Sequence, residues 1–345
     1  MQIRIVNSSD KNFNGFMNSK ALLKTAEFAA DNGSLFAAGT SLILSTFVRP
    51  IAILATPKAQ QENKEYATAK SVASSLVGFG IMALISNPII NAVNNIEKNP
   101  AEYLSTKTIN VFKSGESQLS SSSKFKFSSQ MFKLGSGFIA LLPKALITCA
   151  LIPPIMSLFF NKNLKTKEEK KQAEKVSKGD FSQRISFGAN ANSFSHKLSG
   201  LFGKIMNNEK VQQFAEKYHN TNFPQHMFSA NDILATALFA KFTASNKNIK
   251  EERKKTLIIN SALMTGFTVA GGYAVNALLK KPSEMFIEKF KAANANSAKL
   301  DKYVEGIKIA KPAIILGILY YMIAPVVSTM LAEVFTKNES RGEKC

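Results

Sequence analysis

Residues Ser71 to Ile96 read SVASSLVGFGIMALISNPIINAVNNI, 26 positions without one charged side chain. About 20 helical residues cross a hydrocarbon core of about 30 Å, so the stretch is long enough to span a bilayer. Thr256–Leu279 holds 24 charge-free residues and Pro312–Ala332 holds 21. Ala145–Asn161 is shorter, 17 residues, but very apolar, and Leu134–Pro143 leads into it. A soluble helix normally keeps a polar stripe toward water, and these runs have none of useful width. The reading is an all-α, multi-span helical membrane protein with four spans.

Two weaker segments raise the count to as many as six. Asn32–Val48 is charge-free for 17 residues, ends at Arg49-Pro50 and resumes as Ile51–Ala55. The other, 227–242, is interrupted by Asp232 and Lys241 and reads as a helix lying at the membrane surface. The first 31 residues are polar and carry several charges, so the first span is expected to serve as an uncleaved anchor.

The chain reads as two tandem homologous units. VASSLVGF at Val72–Phe79 overlays NSALMTGF at Asn260–Phe267, and Pro154-Ile155-Met156-Ser157 overlays Pro325-Val326-Val327-Ser328. Order is preserved in both halves. The expected organisation is a polar segment 1–34, a first membrane unit 35–160, a basic polar linker 161–227, a second membrane unit 228–335 and a polar tail 336–345. Three crossings per unit would make the units inverted, a transporter-like plan; two would make them parallel. Lysine and arginine density is similar on both sides of a four-span arrangement, so charge does not fix orientation.

Mean hydropathy is −0.03, an average over two opposite populations. The net charge is +20, from 44 Lys+Arg against 24 Asp+Glu. Arginine occurs only at positions 4, 49, 184, 253 and 341. Lysine suits diffuse attraction more than the bidentate recognition that arginine gives, which points to acidic lipid headgroups and sets nucleic acid aside. Leu198, Leu201, Phe202 and Ile205 form an apolar stripe that could rest on the membrane, and 114–129 reads as a serine-rich loop. Two cysteines exclude a disulfide framework.

No phosphate-binding loop, dinucleotide fingerprint, nucleophile elbow or zinc-helix motif is present. No catalytic residue, metal or cofactor is therefore assigned. Polar and kinking residues within the apolar segments are the functional leads: Arg49, Asn87, Pro88, Lys144, Pro154, Asp232, Asn276, Pro325 and Glu333. Lys144 is read as interfacial and snorkelling. Ala262, Gly266, Ala270 and Ala274 recur every four residues, and Ser74 and Gly78 take the first matching positions in the other unit, so the two spans are expected to pack face to face. The expected role is non-enzymatic: a structural or scaffolding protein whose lysine-rich loops hold acidic lipid or a partner, with a further copy of the chain or another membrane protein as candidate partners. A small transporter or channel is the alternative, and a soluble basic all-α protein a remote one. A bacterial cytoplasmic membrane is the expected location.

Overall fold

The computed structural model describes residues 15–55, 61–113, 119, 122–160, 191–219, 221–246, 249, 251–328 and 331, and every structural statement concerns those. Among them the regular structure is helical. The elements are α1 (Lys20–Asp31), α2 (Gly33–Ile43), a π-helical turn (Leu44–Val48), α3 (Arg49–Leu54), α4 (Gln61–Lys98), α5 (Pro100–Tyr103), α6 (Thr106–Lys113) and α7 (Ser123–Phe160). The second half holds α8 (Ala191–Met206), α9 (Glu209–Tyr218), α10 (Phe223–Ser245), α11 (Glu251–Leu278), α12 (Lys280–Ala293), α13 (Leu300–Ile318) and a second π-helical turn (Leu319–Ile323).

Five stretches are long and apolar enough to cross a membrane: Gly33–Leu54, Ala67–Lys98, Ser123–Leu151, Lys254–Leu278 and Leu300–Ser328. The chain is an all-α, multi-span membrane protein. Helices suit this medium because they satisfy every backbone group within the segment. Large apolar side chains on these stretches face outward, among them Phe47, Ile51, Leu76, Ile139, Leu142 and Leu278, as contact with lipid requires. The weak segment beginning at Leu35 thus belongs to a full-length apolar helix.

Side-chain contacts fix the relative directions. Along α4 and α7 the pairs Ala69 with Cys149, Gly78 with Lys144, and Ser86 with Ser136 have nearly constant summed numbers, so the two helices are antiparallel. α10 runs parallel to α7, with Phe127 beside Phe223, Gly137 beside Asn231 and Cys149 beside Thr243. α11 returns antiparallel to α10 through Thr236 with Thr265 and His226 with Tyr273. α13 runs parallel to the first span, from Glu27 with Lys302 through Gly33 with Ile309 to Leu44 with Gly317.

One expectation changes. Helix α10 does not lie at the surface: Ser229, Phe239 and Thr243 are buried between α7 and α11. Its charged Asp232 is partly buried and turns inward to a polar cavity, which removes the reason for excluding it from the bundle. Among the described residues α7 and α10 run in the same direction.

At one end, α5, α6, α8 and α9 cap the bundle over an aromatic cluster that includes Phe112, Phe125, Phe127, Phe202 and Phe223. Phe202 stacks on Phe132 at 4.2 Å. The stripe expected on the membrane is used here instead: Leu198, Phe202 and Ile205 join this cluster, and only Leu201 of the four is exposed. The serine-rich excursion gives way to helix at Ser123, where Lys124 pairs with Glu216 and Lys126 with Asp301 at 3.5 Å. The charged run 162–178 lies outside the described residues.

Candidate functional site

Both π-helical turns have one sequence cause. A π turn closes i to i+5, and here Arg49 N–H bonds the Leu44 carbonyl while Ala324 N–H bonds the Leu319 carbonyl. The residue after each donor is a proline, Pro50 or Pro325, which has no N–H to continue the ladder. The wide turn absorbs the missing bond and re-aims the neighbouring side chains. The first turn delivers Arg49 inward, and the second delivers Tyr320 and Tyr321 against it, with the guanidinium carbon 4.9 Å and 5.8 Å from the two ring centres.

Arg49 is only 2% exposed. Its Nη2 donates to the Met264 sulfur at 2.9 Å, and its Nε is buried without a partner. Lys70, one turn before Ser74 on α4, is 8% exposed; its ammonium donates to Ser261 Oγ and lies 3.7 Å from the Phe239 ring centre. Lys144 approaches from α7 across Gly78: a Cβ placed on that glycine would meet the lysine Cε at 3.0 Å and Nζ at 3.2 Å. Gly78 therefore makes room for the lysine stem. Asp232 stands on α10 beside Asn231, whose Oδ1 is buried and unpartnered.

These side chains line one cavity of about 180 Å³. All five membrane-length stretches and α10 contribute to its wall. That volume holds several waters or one small solute and is below the roughly 300–1,000 Å³ of drug-sized sites. The lining charges are Arg49, Lys70 and Lys144 against Asp232, so positive charge is in excess. Ser71 and Thr148 add buried hydroxyls without a hydrogen-bond partner. Such groups are costly inside a bundle unless water or a solute satisfies them.

The structure brings Arg49, Ser74, Gly78, Lys144 and Asp232 together at this cavity. Lys144 thus faces the interior and not only an interface. Pro325 is buried just beyond the second π turn, Pro88 is partly buried within α4 beside exposed Asn87, and Asn276 is partly buried on α11. Pro154 falls within α7, and Glu333 lies outside the described residues. Ala262, Gly266, Ala270 and Ala274 face outward, and nothing lies within 4 Å of a Cβ placed on Gly266. α11 meets α4 through the neighbouring face, where Ser261, Met264 and Thr265 are buried.

Sequence reasoning passed over Lys70, Ser261, Tyr320 and Tyr321. Lys70 directly precedes the charge-free run that begins at Ser71. Its spacing from Ser74 and Gly78, every fourth residue on one helical face, was the signal that it belongs with them. Among the described residues no group of three or more His, Cys, Asp or Glu side chains is placed to hold a metal ion. Comparison of the chain with protein-family models, with curated proteins and with solved structures finds no match.

Proposed function

We propose that this membrane protein houses a small polar solute in the cavity between its helices and acts as a carrier or channel, a non-enzymatic role. The observation that carries the reading is the concentration of Arg49, Lys70, Lys144 and Asp232 around one cavity between the helices. Ionisable residues inside a bundle are expensive, and they are retained where they meet a solute or one another. The bacterial cytoplasmic membrane stays our expectation of its location, and it rests on the sequence alone.

Proteoliposomes test the reading by osmotic swelling against a panel of small charged and neutral solutes. At least one solute should enter faster than into protein-free vesicles, and Ser74→Phe, which fills the cavity, should remove that excess. Equal rates with and without protein would sink the proposal.

A second reading, a scaffold that holds acidic lipid, is favoured by α12. Its Phe286, Ile287 and Phe290 pack inward while Lys280, Lys281, Lys289 and Lys291 are exposed beside outward Leu278 and Met285. That arrangement suits a helix lying along an anionic headgroup layer. Flotation with vesicles does not separate a membrane protein from its membrane, so the test is lipid retention. Neutralising Lys280 and Lys281 to Gln should lower the acidic lipid carried through detergent purification, and unchanged retention would remove this reading.

A further inference from the structure

We infer that the cavity is an oxyanion site, taking a phosphate- or carboxylate-bearing group between Arg49 and Lys70. The inference rests on the reading of the cavity as a solute site and names the solute's chemistry.

The donor set decides between ligand classes. Arg49 has one guanidinium edge on the Met264 sulfur and two tyrosine rings against its face, which leaves Nε buried without an acceptor. A sulfur atom is a weak acceptor and an aromatic face holds a cation without consuming its N–H groups, so neither replaces a carboxylate. Lys70 has three N–H donors, of which Ser261 takes one, and that hydroxyl donates its own hydrogen bond to the Leu257 carbonyl at 2.6 Å. Ser71 and Thr148 offer two further hydroxyls on the same wall.

Among the described residues no carboxylate lies within ion-pair distance of Arg49, Lys70 or Lys144. Among the described residues Asp232 is the single acidic group on the cavity wall, against three cations. A buried guanidinium and ammonium without counter-charge call for an anion. Planar, fixed N–H donors flanked by hydroxyls suit the several oxygens of a phosphate or carboxylate better than a spherical halide. A neutral solute would leave both charges uncompensated, and a cation would add to them. Asp232 then works against binding, and its removal strengthens it.

The same oxyanion chemistry is offered by free phosphate and by the headgroup of an acidic lipid, so the experiment has two arms on the full chain in neutral detergent. Inorganic phosphate is titrated by equilibrium dialysis, with chloride as the competitor, and co-purifying phosphatidylglycerol is measured by native mass spectrometry. Saturable phosphate binding with no retained lipid assigns a soluble anion; one retained acidic lipid that blocks phosphate assigns a headgroup. In either arm Arg49→Gln and Lys70→Gln should each weaken binding by about tenfold, as loss of one charge-assisted hydrogen bond implies. Arg49→Lys should restore part of the loss, and Asp232→Asn should bind as tightly or more so.

Helical content and melting temperature identify any variant that fails to fold. In that case Lys144→Gln, at a partly buried position, takes its place and should still lower affinity. Absence of both phosphate binding and retained lipid, equal competition by chloride, or wild-type affinity in the folded Gln variants would each overturn the oxyanion site. The transport reading fails separately: anion binding without solute flux would leave the site standing and remove the carrier, whereas flux of neutral solutes without anion binding would do the reverse.

Discussion

At the residue scale the tightest surroundings of any described glycine are at Gly306, where a Cβ would fall 1.7 Å from the Ala26 carbonyl oxygen. The obstacle is backbone of α1, so no rotamer change relieves it. α1 presents Ala26, Ala29 and Ala30 on this side, small residues that let α13 approach. Gly306→Ala should therefore destabilise the fold by about 1–3 kcal/mol through overpacking, against about 1 kcal/mol regained from helix propensity. Thermal unfolding in detergent should show a lower midpoint. Gly135→Ala, with open space around the new methyl, should show a slightly higher one, and equal midpoints for the two variants would contradict the contact. The same α1 carries a pH-sensitive tie. The Lys299 ammonium, 2.7 Å from Glu27, and the nearby Lys302 hold the Glu27 carboxyl below its usual 4.5. A depressed carboxyl stabilises the fold above its unfolded pKa, and that contribution disappears as pH falls through the folded value. Hydrogen exchange in α1 should accelerate as pH drops below 4.5 after correction for intrinsic rates, and Glu27→Gln should flatten that response.

At the element scale, the spans were legible because charge-free runs of 21 to 26 residues leave few alternatives. The π turns were not, although their cause is local. Pro50 and Pro325 were visible as breaks, but a missing N–H can end a helix, kink it or widen one turn, and packing around Arg49 and Tyr320 selects the last. The small-residue spacing on α11 gave a second partial reading. Four-residue periodicity identifies a face and not its partner, and here the face that includes Gly266 points away from the chain's other helices. Gly266→Leu should consequently leave contacts within one chain intact, so cysteines at Lys70 and Ser261, which meet directly, should still crosslink. If the variant loses an oligomer seen by crosslinking between chains, the outward stripe is where copies meet. Loss of the Lys70 to Ser261 crosslink would show instead that Gly266 packs inside the chain.

At the scale of the whole molecule, hydropathy missed α10 because it counts Asp232 and Lys241 against burial without knowing what they face. Asp232 turns to a cavity with Lys144 and Lys241 is exposed. Placing α10 in the bundle has a consequence for the path of the chain. α7 leaves at the end where α3 stops and α4 starts, whereas α8 enters at the other end, where Asn207 Nδ2 bonds the Tyr103 carbonyl at 3.2 Å. Single cysteines labelled with an impermeant maleimide decide whether a membrane separates those ends. The structure expects cysteines at Lys107 and Asn207 to label from one side and cysteines at Leu54 and Lys64 from the other. If Asn207 labels from the same side as Leu54 while Lys107 labels from the opposite one, α8 to α10 do not occupy the bundle in the membrane. The cavity would then lose the wall that α10 supplies, including Phe239 against Lys70, and the proposed solute site with it.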